Sequence, residues 1–309
     1  MDLGAISPAL LVASLMAAAT PILLAALGEL VVERAGVLNL GVEGMMIVGA
    51  ICGFAAAVES GSPTLGFAVG AISGAALSMI FAVLVLVFLS NQVATGLALT
   101  LFGLGLSALI GQGYVGIRPP PTPRLDLGPL SDLPFLGRAV FSHDAVVYLS
   151  LAFVVAIWLV LTRTRMGLRL RAVGENHDAA HALGLPVLAM RFAAIAFGGA
   201  MAGLGGAYLS LVRVPQWTEG MTAGAGWIAL AIVVFASWRA GRVLIGAYLF
   251  GGVTVLQLNL QAAGSALPVE YLSMSPYVIT ILVLVVISSR HKRGGAAPAS
   301  LGRPFHASQ

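Results

Sequence analysis

Charge is scarce in this chain. Only 9% of its 309 residues are Asp, Glu, Lys or Arg, against about a quarter in an ordinary globular domain. No polar stretch is long enough to build a core of its own, which excludes a soluble domain. Cysteine is almost absent too: Cys52 stands alone inside an apolar run, so no internal disulfide can form and packing is its expected role. Histidine is limited to His143, His177, His181, His291 and His306. None of these forms metal-ligand spacing with Cys52. The paired acids or His/Asp cluster of a membrane-embedded enzyme are missing, so no catalytic and no metal residue is assigned. A G-x-x-x-x-G-K phosphate loop followed by Ser or Thr is also missing, so ATP hydrolysis is not expected of this chain. Residues 1–7 lack the basic region and small-residue cleavage site of a signal peptide, and the first apolar segment is expected to be retained.

What the chain does have is apolar length. Hydrophobic residues make up 59% and the mean hydropathy is +0.99, which suits a polytopic helical membrane protein. The 38 glycines fit helices that approach closely in lipid. With about 20 residues needed per crossing, nine segments emerge: 8–30, 38–58, 64–89, 91–113, 144–162, 188–212, 222–238, 242–262 and 272–289. The Gly- and Asn-containing start of the second, and Ser90–Gln92 between the third and fourth, are places for a broken or re-entrant helix. The count therefore ranges from eight to ten. The expected class is all-α, with a transmembrane domain over 1–289.

Lys and Arg placement sets the expected orientation. Arg163, Arg165, Arg169, Arg171 and Arg191 form a polar island within 163–191. Alternation puts Arg34, Arg239, Arg242, Arg290, Lys292, Arg293 and Arg303 on the same side, twelve of the 16 basic residues. Arg118, Arg124, Arg138 and Arg213 fall opposite, with Asp126, Asp132, Asp144, Glu219 and Glu270. The bias predicts an external N-terminus, a cytosolic C-terminus and a cytosolic island. It explains the pI of about 9.6 without a nucleic-acid partner. Pro119, Pro120, Pro121 and Pro123 preclude a helix where they stand in the loop 114–143, read as an external lid or spacer. Residues 290–309 read as a disordered cytosolic tail. Segments two and three share a Gly/Ala texture with segments seven and eight in the opposite direction, the pattern of an inverted repeat.

Within the island, Asn176 is an N-cap, His177 to Leu183 make about two helical turns, and Gly184 with Pro186 is a stop. Ala179, Ala180 and Leu183 share one face, and Glu175, Asp178 and His181 project elsewhere. An isolated helix below about 12 residues is marginal in water, so this one needs a partner or the underside of the membrane domain. On physical grounds alone, a docking element and an ordinary amphipathic connector stand level.

The run from Arg171 to Gly184 resembles the coupling-helix segment of bacterial ABC importer permeases of the branched-chain amino acid, simple sugar and nucleoside family. Glu33-Arg-Ala-Gly-Val-Leu-Asn-Leu-Gly-Val-Glu-Gly-Met-Met46 resembles the signature of the nucleoside branch, whose permeases work with lipoprotein-type binding proteins. Asn91-Gln-Val-Ala-Thr-Gly-Leu-Ala-Leu-Thr100 fits the same branch. The resemblance implies ATPase coupling through Gly174, Glu175, Asn176, Asp178, Ala179, Ala180, Leu183 and Gly184. It implies a cytosolic ABC ATPase that binds ATP and magnesium, a second homologous permease or a copy of this chain, an external solute-binding lipoprotein and a place in the bacterial cytoplasmic membrane. No cofactor is expected in this chain. His177 and His181 are loosely constrained and carry no expected proton chemistry.

Polar side chains within the bilayer are costly and usually face the bundle interior, which marks the candidate solute pathway. Glu43 stands out: it meets a ribose hydroxyl or base edge, or else pairs with Arg34 or binds backbone groups of a broken helix. Asn39 is read as a cap or helix-break residue beside it. Asn91, Gln92 and Thr95 line the pathway or cap a helix. Gln257 and Gln261 share a helical face from which amides read a base or stitch helices together, and Asn259 points away. Trp227, with Gln112 and Trp217, contacts a base or anchors the interface. Glu29 is expected to compensate Arg34. The expected function is an importer permease for nucleosides or nucleobase-like solutes. Simple sugars or branched-chain amino acids are the alternative solutes, and an ion-driven secondary transporter is the alternative mechanism.

Overall fold

A computed structural model describes residues 8–125, 128–131, 133–264, 268–289 and 297–306. Asp126, Asp132, Arg290, Lys292 and Arg293, which entered the charge count, lie outside them, as do residues 1–7. Twelve α-helices run in the order α1 (Pro8–Arg34), α2 (Val42–Ser60), α3 (Pro63–Ala82), α4 (Gln92–Gly111), α5 (Leu136–Val140), α6 (Ala145–Arg163), α7 (Arg165–Glu175), α8 (His177–Ala182), α9 (Val187–Tyr208), α10 (Ala225–Phe235), α11 (Ala240–Ala262) and α12 (Val269–Ser289). α3 and α9 each end in a π-helical turn, Val83–Val87 and Leu209–Arg213. No strand occurs among the described residues, in keeping with the all-α expectation.

Among the described residues, seven helices are long and apolar enough to cross a membrane: α1, α2, α3, α4, α6, α9 and α11. The nine-segment reading is not reached. Its seventh segment contains only α10, 11 residues or about 16 Å at 1.5 Å per residue, half the apolar thickness of a bilayer. Its ninth is α12, which packs on α11. The short α10 stands against a 19-residue α2, and the fold establishes no inverted repeat.

The centre is α9, packed on α1, α2 and α3, with α2 and α3 also packed on each other. Glycines allow the approach: a Cβ on Gly49 would overlap the Gly203 backbone, and one on Gly206 would strike the Met46 carbonyl. This is the small-residue packing that association in lipid favours.

Two chain segments enter the bundle without helical structure. After α1, the chain climbs along the first turns of α4. Leu38 N–H donates to Gln92 Oε1 (2.8 Å), Gly96 abuts Leu40 and Gly41, and Gly44 packs on Thr100 and Gly103. α2 thus begins well inside the bundle. From the opposite end, the chain after α9 passes buried Trp217, which abuts Gly111 at the far end of α4. It then descends to Thr222 and Gly224, where α10 starts.

Around the prolines no helix forms, but the same loop holds the five-residue α5 and a 3-10 turn at Gly128–Leu130. The loop returns through the Arg124–Asp144 bridge and a hydrogen bond from Leu125 N–H to the His143 carbonyl (2.9 Å). Of the expected tail, residues 290–296 and 307–309 lie outside the described residues. Residues 297–306 are ordered and packed against α7 and α8, because Phe305 is buried there and Ser300 bonds to Gly174.

Candidate functional site

Glu43, on the first turn of α2, is buried at a junction of two helix starts. Its Oε1 accepts from Thr222 Oγ1 (2.5 Å) and Gly224 N–H (2.9 Å), and its Oε2 accepts from Gly226 N–H (2.7 Å). Gly224 caps α10 with φ +85°. A helix start inside a bundle leaves its first N–H groups unpaired, and in lipid each must find a partner. A carboxylate satisfies them and complements the positive helix end. Of the expectations for Glu43, the geometry is that of backbone binding in a broken helix. It does not pair with Arg34, whose guanidinium donates to the Trp238 carbonyl (2.8 and 3.2 Å).

The rest of the Glu33–Met46 run builds the same junction. Glu33 Oε2 accepts from Trp238 Nε1, so both ends of α10 are tied to this motif. Glu29 Oε1 accepts from Asn39 N–H (3.2 Å), where the sequence reading paired Glu29 with Arg34. Asn39 Oδ1 accepts from Gly41 N–H (2.9 Å) in the turn before α2, whose N-cap is Gly41 itself, without a side-chain cap. Gly36, at φ +83°, lies against Gly174 and Arg191. The motif joins α1, α2, α10 and the island.

The other pathway candidates are dispersed. Asn91 caps α4 by accepting from Ala94 N–H (3.0 Å). Thr95 bonds to Ser90 (2.9 Å). Gln92 uses Oε1 on Leu38, while its Nε2 is buried without a hydrogen-bond partner among the described residues. Trp227 is half-exposed on α10. Gln261 Nε2 is buried without a partner, whereas Gln257 faces a cavity.

That cavity, about 280 Å³, lies between α1, α10, α11 and α12. Its polar lining is Arg213, Thr222, Thr254, Gln257, Ser273 and Tyr277. A larger cavity, about 1220 Å³, opens at the proline-loop end under Arg118, Arg124, Asp144, Arg213 and Gln216. Arg213 lines both, and Thr222 links the inner one to Glu43. Asp144 Oδ1 caps α6 through Val146 and Val147, and its Oδ2 accepts from buried Tyr208 (3.0 Å). Sequence reasoning counted Arg118, Arg124, Arg213 and Asp144 only as topological charges. Thr222, 179 residues from Glu43, had no local signal at all.

At the opposite end lies the island. α7, capped by Thr164 accepting from Gly167 N–H (3.1 Å), is a helix that the sequence reading did not separate. Asn176 Oδ1 accepts from Ala179 N–H (2.9 Å), α8 follows, and Gly184 at φ +79° ends it. The expected face is corrected. Ala180 and His177 turn inward, while Asp178, Ala179 and Leu183 are exposed. On that inward face Arg191 donates toward His177 Nδ1 (3.1 Å). Gly174 is buried against the Arg34 carbonyl, and Glu175 Oε2 accepts from Ala299 N–H (3.4 Å).

Comparison with known proteins identifies the scaffold. The model of the family described as branched-chain amino acid transport system / permease component matches residues 11–287. TsgC13 of Haloferax volcanii, an ABC transporter permease whose glucose assignment is provisional, is 44% identical, with 86% of this chain and 88% of that one covered. The guanosine ABC transporter permease NupQ of Bacillus subtilis is 32% identical over 99% and 98% of the two chains. The nucleoside ABC transporter permease NupC of Lactococcus lactis subsp. cremoris is 31% identical over 90% and 92%. No solved structure matches significantly. A glycine-packed helical bundle matched along nearly its whole length by these relatives is a membrane permease, and the chain belongs to the branched-chain amino acid transport system permease component family.

Proposed function

We propose that this chain is the transport subunit of an importer for nucleosides, driven by a separate cytosolic ATPase seated on α8. The observation that carries the coupling half is α8 itself, a rigidly held helix with Asp178, Ala179 and Leu183 exposed at the basic end of the bundle. The excess of Lys and Arg that the sequence assigns to that side supports a cytosolic placement under the positive-inside rule. A second permease copy, or a homologue, and an external binding lipoprotein complete the assembly in the bacterial cytoplasmic membrane.

Solute enters through the large cavity at the proline-loop end and passes Arg213 to the inner cavity. There Thr222, Thr254, Gln257 and Ser273 offer hydroxyl and amide groups suited to a ribose and a base edge. The Glu43 junction floors that path. Its role is to hold the α2 and α10 starts together, so that movement of α10 opens or shuts the way inward. Nucleosides come first because NupQ and NupC, with nucleoside names, align along nearly the full chain. A simple sugar is the second reading, favoured by the 44% identity to TsgC13. Branched-chain amino acids are the third outcome of the test. In vesicles containing the full transporter, unlabelled guanosine should suppress uptake of a labelled nucleoside, and glucose and leucine should not. Uptake of labelled glucose, with no nucleoside uptake, would replace the first reading by the second.

A further inference from the structure

The segment 297–306 has no part in the transport reading, yet it is wedged behind α8. Ser300 N–H donates to the Gly174 carbonyl (2.9 Å), and Ser300 Oγ donates to the Glu175 carbonyl (3.2 Å). The same hydroxyl accepts from His177 N–H (3.4 Å), one of the unpaired donors at the start of α8. Gly302 N–H donates to the Gly36 carbonyl (3.3 Å). The buried Phe305 ring stands edge-on to both His177 and His181, with centroids 5.3 Å away in each case. Arg191, fully buried, completes the arrangement: Nε donates to the Ala35 carbonyl (3.1 Å), one terminal nitrogen faces His177 Nδ1 (3.1 Å), and the other donates to the Arg303 carbonyl (3.3 Å).

One guanidinium thus ties together the end of α1, the start of α8 and the C-terminal segment. A helix of six residues is far below the length of about 12 at which helices hold themselves together in water. Its position must come from contacts, and on its inward face Arg191, Ser300 and Phe305 join Val173 and Val187, which pack with Ala180.

We propose that residues 298–305 are a positioning clasp for α8, with Phe305 and Ser300 as the positioning residues that let displacement of α8 reach α1 and α9 through Arg191. The inference rests on the reading of α8 as the ATPase-coupling helix. Without the clasp, α8 gives way locally, and hydrolysis proceeds with less solute moved.

The test uses the full-length permease with Phe305→Ala, Ser300→Ala and Phe305→Tyr, the last keeping an aromatic ring at the site. Amide exchange over residues 176–184 should quicken about tenfold or more in both alanine variants, since local opening sets the rate, with residues 42–60 unchanged. In the assembled transporter, solute moved per ATP should fall several-fold in the alanine variants and recover in Phe305→Tyr. Unchanged exchange overturns the clasp, and so does faster exchange with an unchanged solute-to-ATP ratio. Failure of the coupling reading has its own signature, namely an ATPase that stays bound when residues 176–183 become a Gly/Ser linker.

Discussion

Glu43 accepts from three donors, two of them backbone N–H groups at the start of α10. Glu43→Gln keeps one carbonyl oxygen but turns an amide N–H₂ toward a donor. Hydrogen bonds to charged groups contribute about 1.5–3 kcal/mol each, so the variant should lose about 2–3 kcal/mol and most of its transport. A thermal-unfolding shift in detergent checks this, and wild-type stability would remove Glu43 from the junction. His177 makes a second prediction. Burial lowers its pKa below the ordinary 6.5, Arg191, Arg303 and His306 lower it further, and Asp178 raises it. A histidine with a depressed folded pKa is neutral in the folded state and protonates more readily once released. The clasp is therefore fully stable above about pH 6.5 and weakens as pH falls below that value. Exchange over 176–184 should quicken on acidification, and His177→Asn should flatten the dependence. Of these sites, Glu43 was visible as a costly buried carboxylate, but its partners were not, because only tertiary folding brings Thr222 and Gly226 to it.

α8 and α10 show what local signals do and do not report. Asn176 and Gly184 bracket α8 because a side-chain cap and a left-handed stop are properties of the local chain, and the expected boundaries agree with the helix to within a residue. Its orientation was not legible, since the inward face meets Arg191 from another helix. α10 was overestimated because hydropathy does not report helix, and the apolar flanks of α10, among them buried Ala236 and Trp238, are not helical. The tail reads as disordered because it lacks an apolar stripe, and the contacts of residues 297–306, through Ser300, Gly302, Arg303 and Phe305, are with distant parts of the chain. If α8 is the coupling helix, replacing residues 176–183 with a Gly/Ser linker should abolish co-purification of the ATPase while the bundle stays folded. Intact assembly would show that the ATPase grips another surface.

The whole molecule has two unlike ends joined by a broken-helix centre. One end gathers Arg34, Arg191, α7, α8 and the C-terminal segment, and the other holds the proline loop over a cavity of about 1220 Å³. Between them, the starts of α2 and α10 meet at Glu43, where glycine-lined helices leave room for the chain to enter from both sides. A bundle built this way can shift one short helix without unfolding a span, which suits alternating access. The family matches place the chain among ABC permeases, and the account's central claim is that ATP hydrolysis at the α8 end drives uptake. The most direct measurement is nucleoside uptake into vesicles carrying the permease, its ATPase and its binding protein. Uptake should require ATP on the α8 side and persist with a proton uncoupler. Uptake that survives ATP depletion and collapses with the uncoupler would contradict that claim.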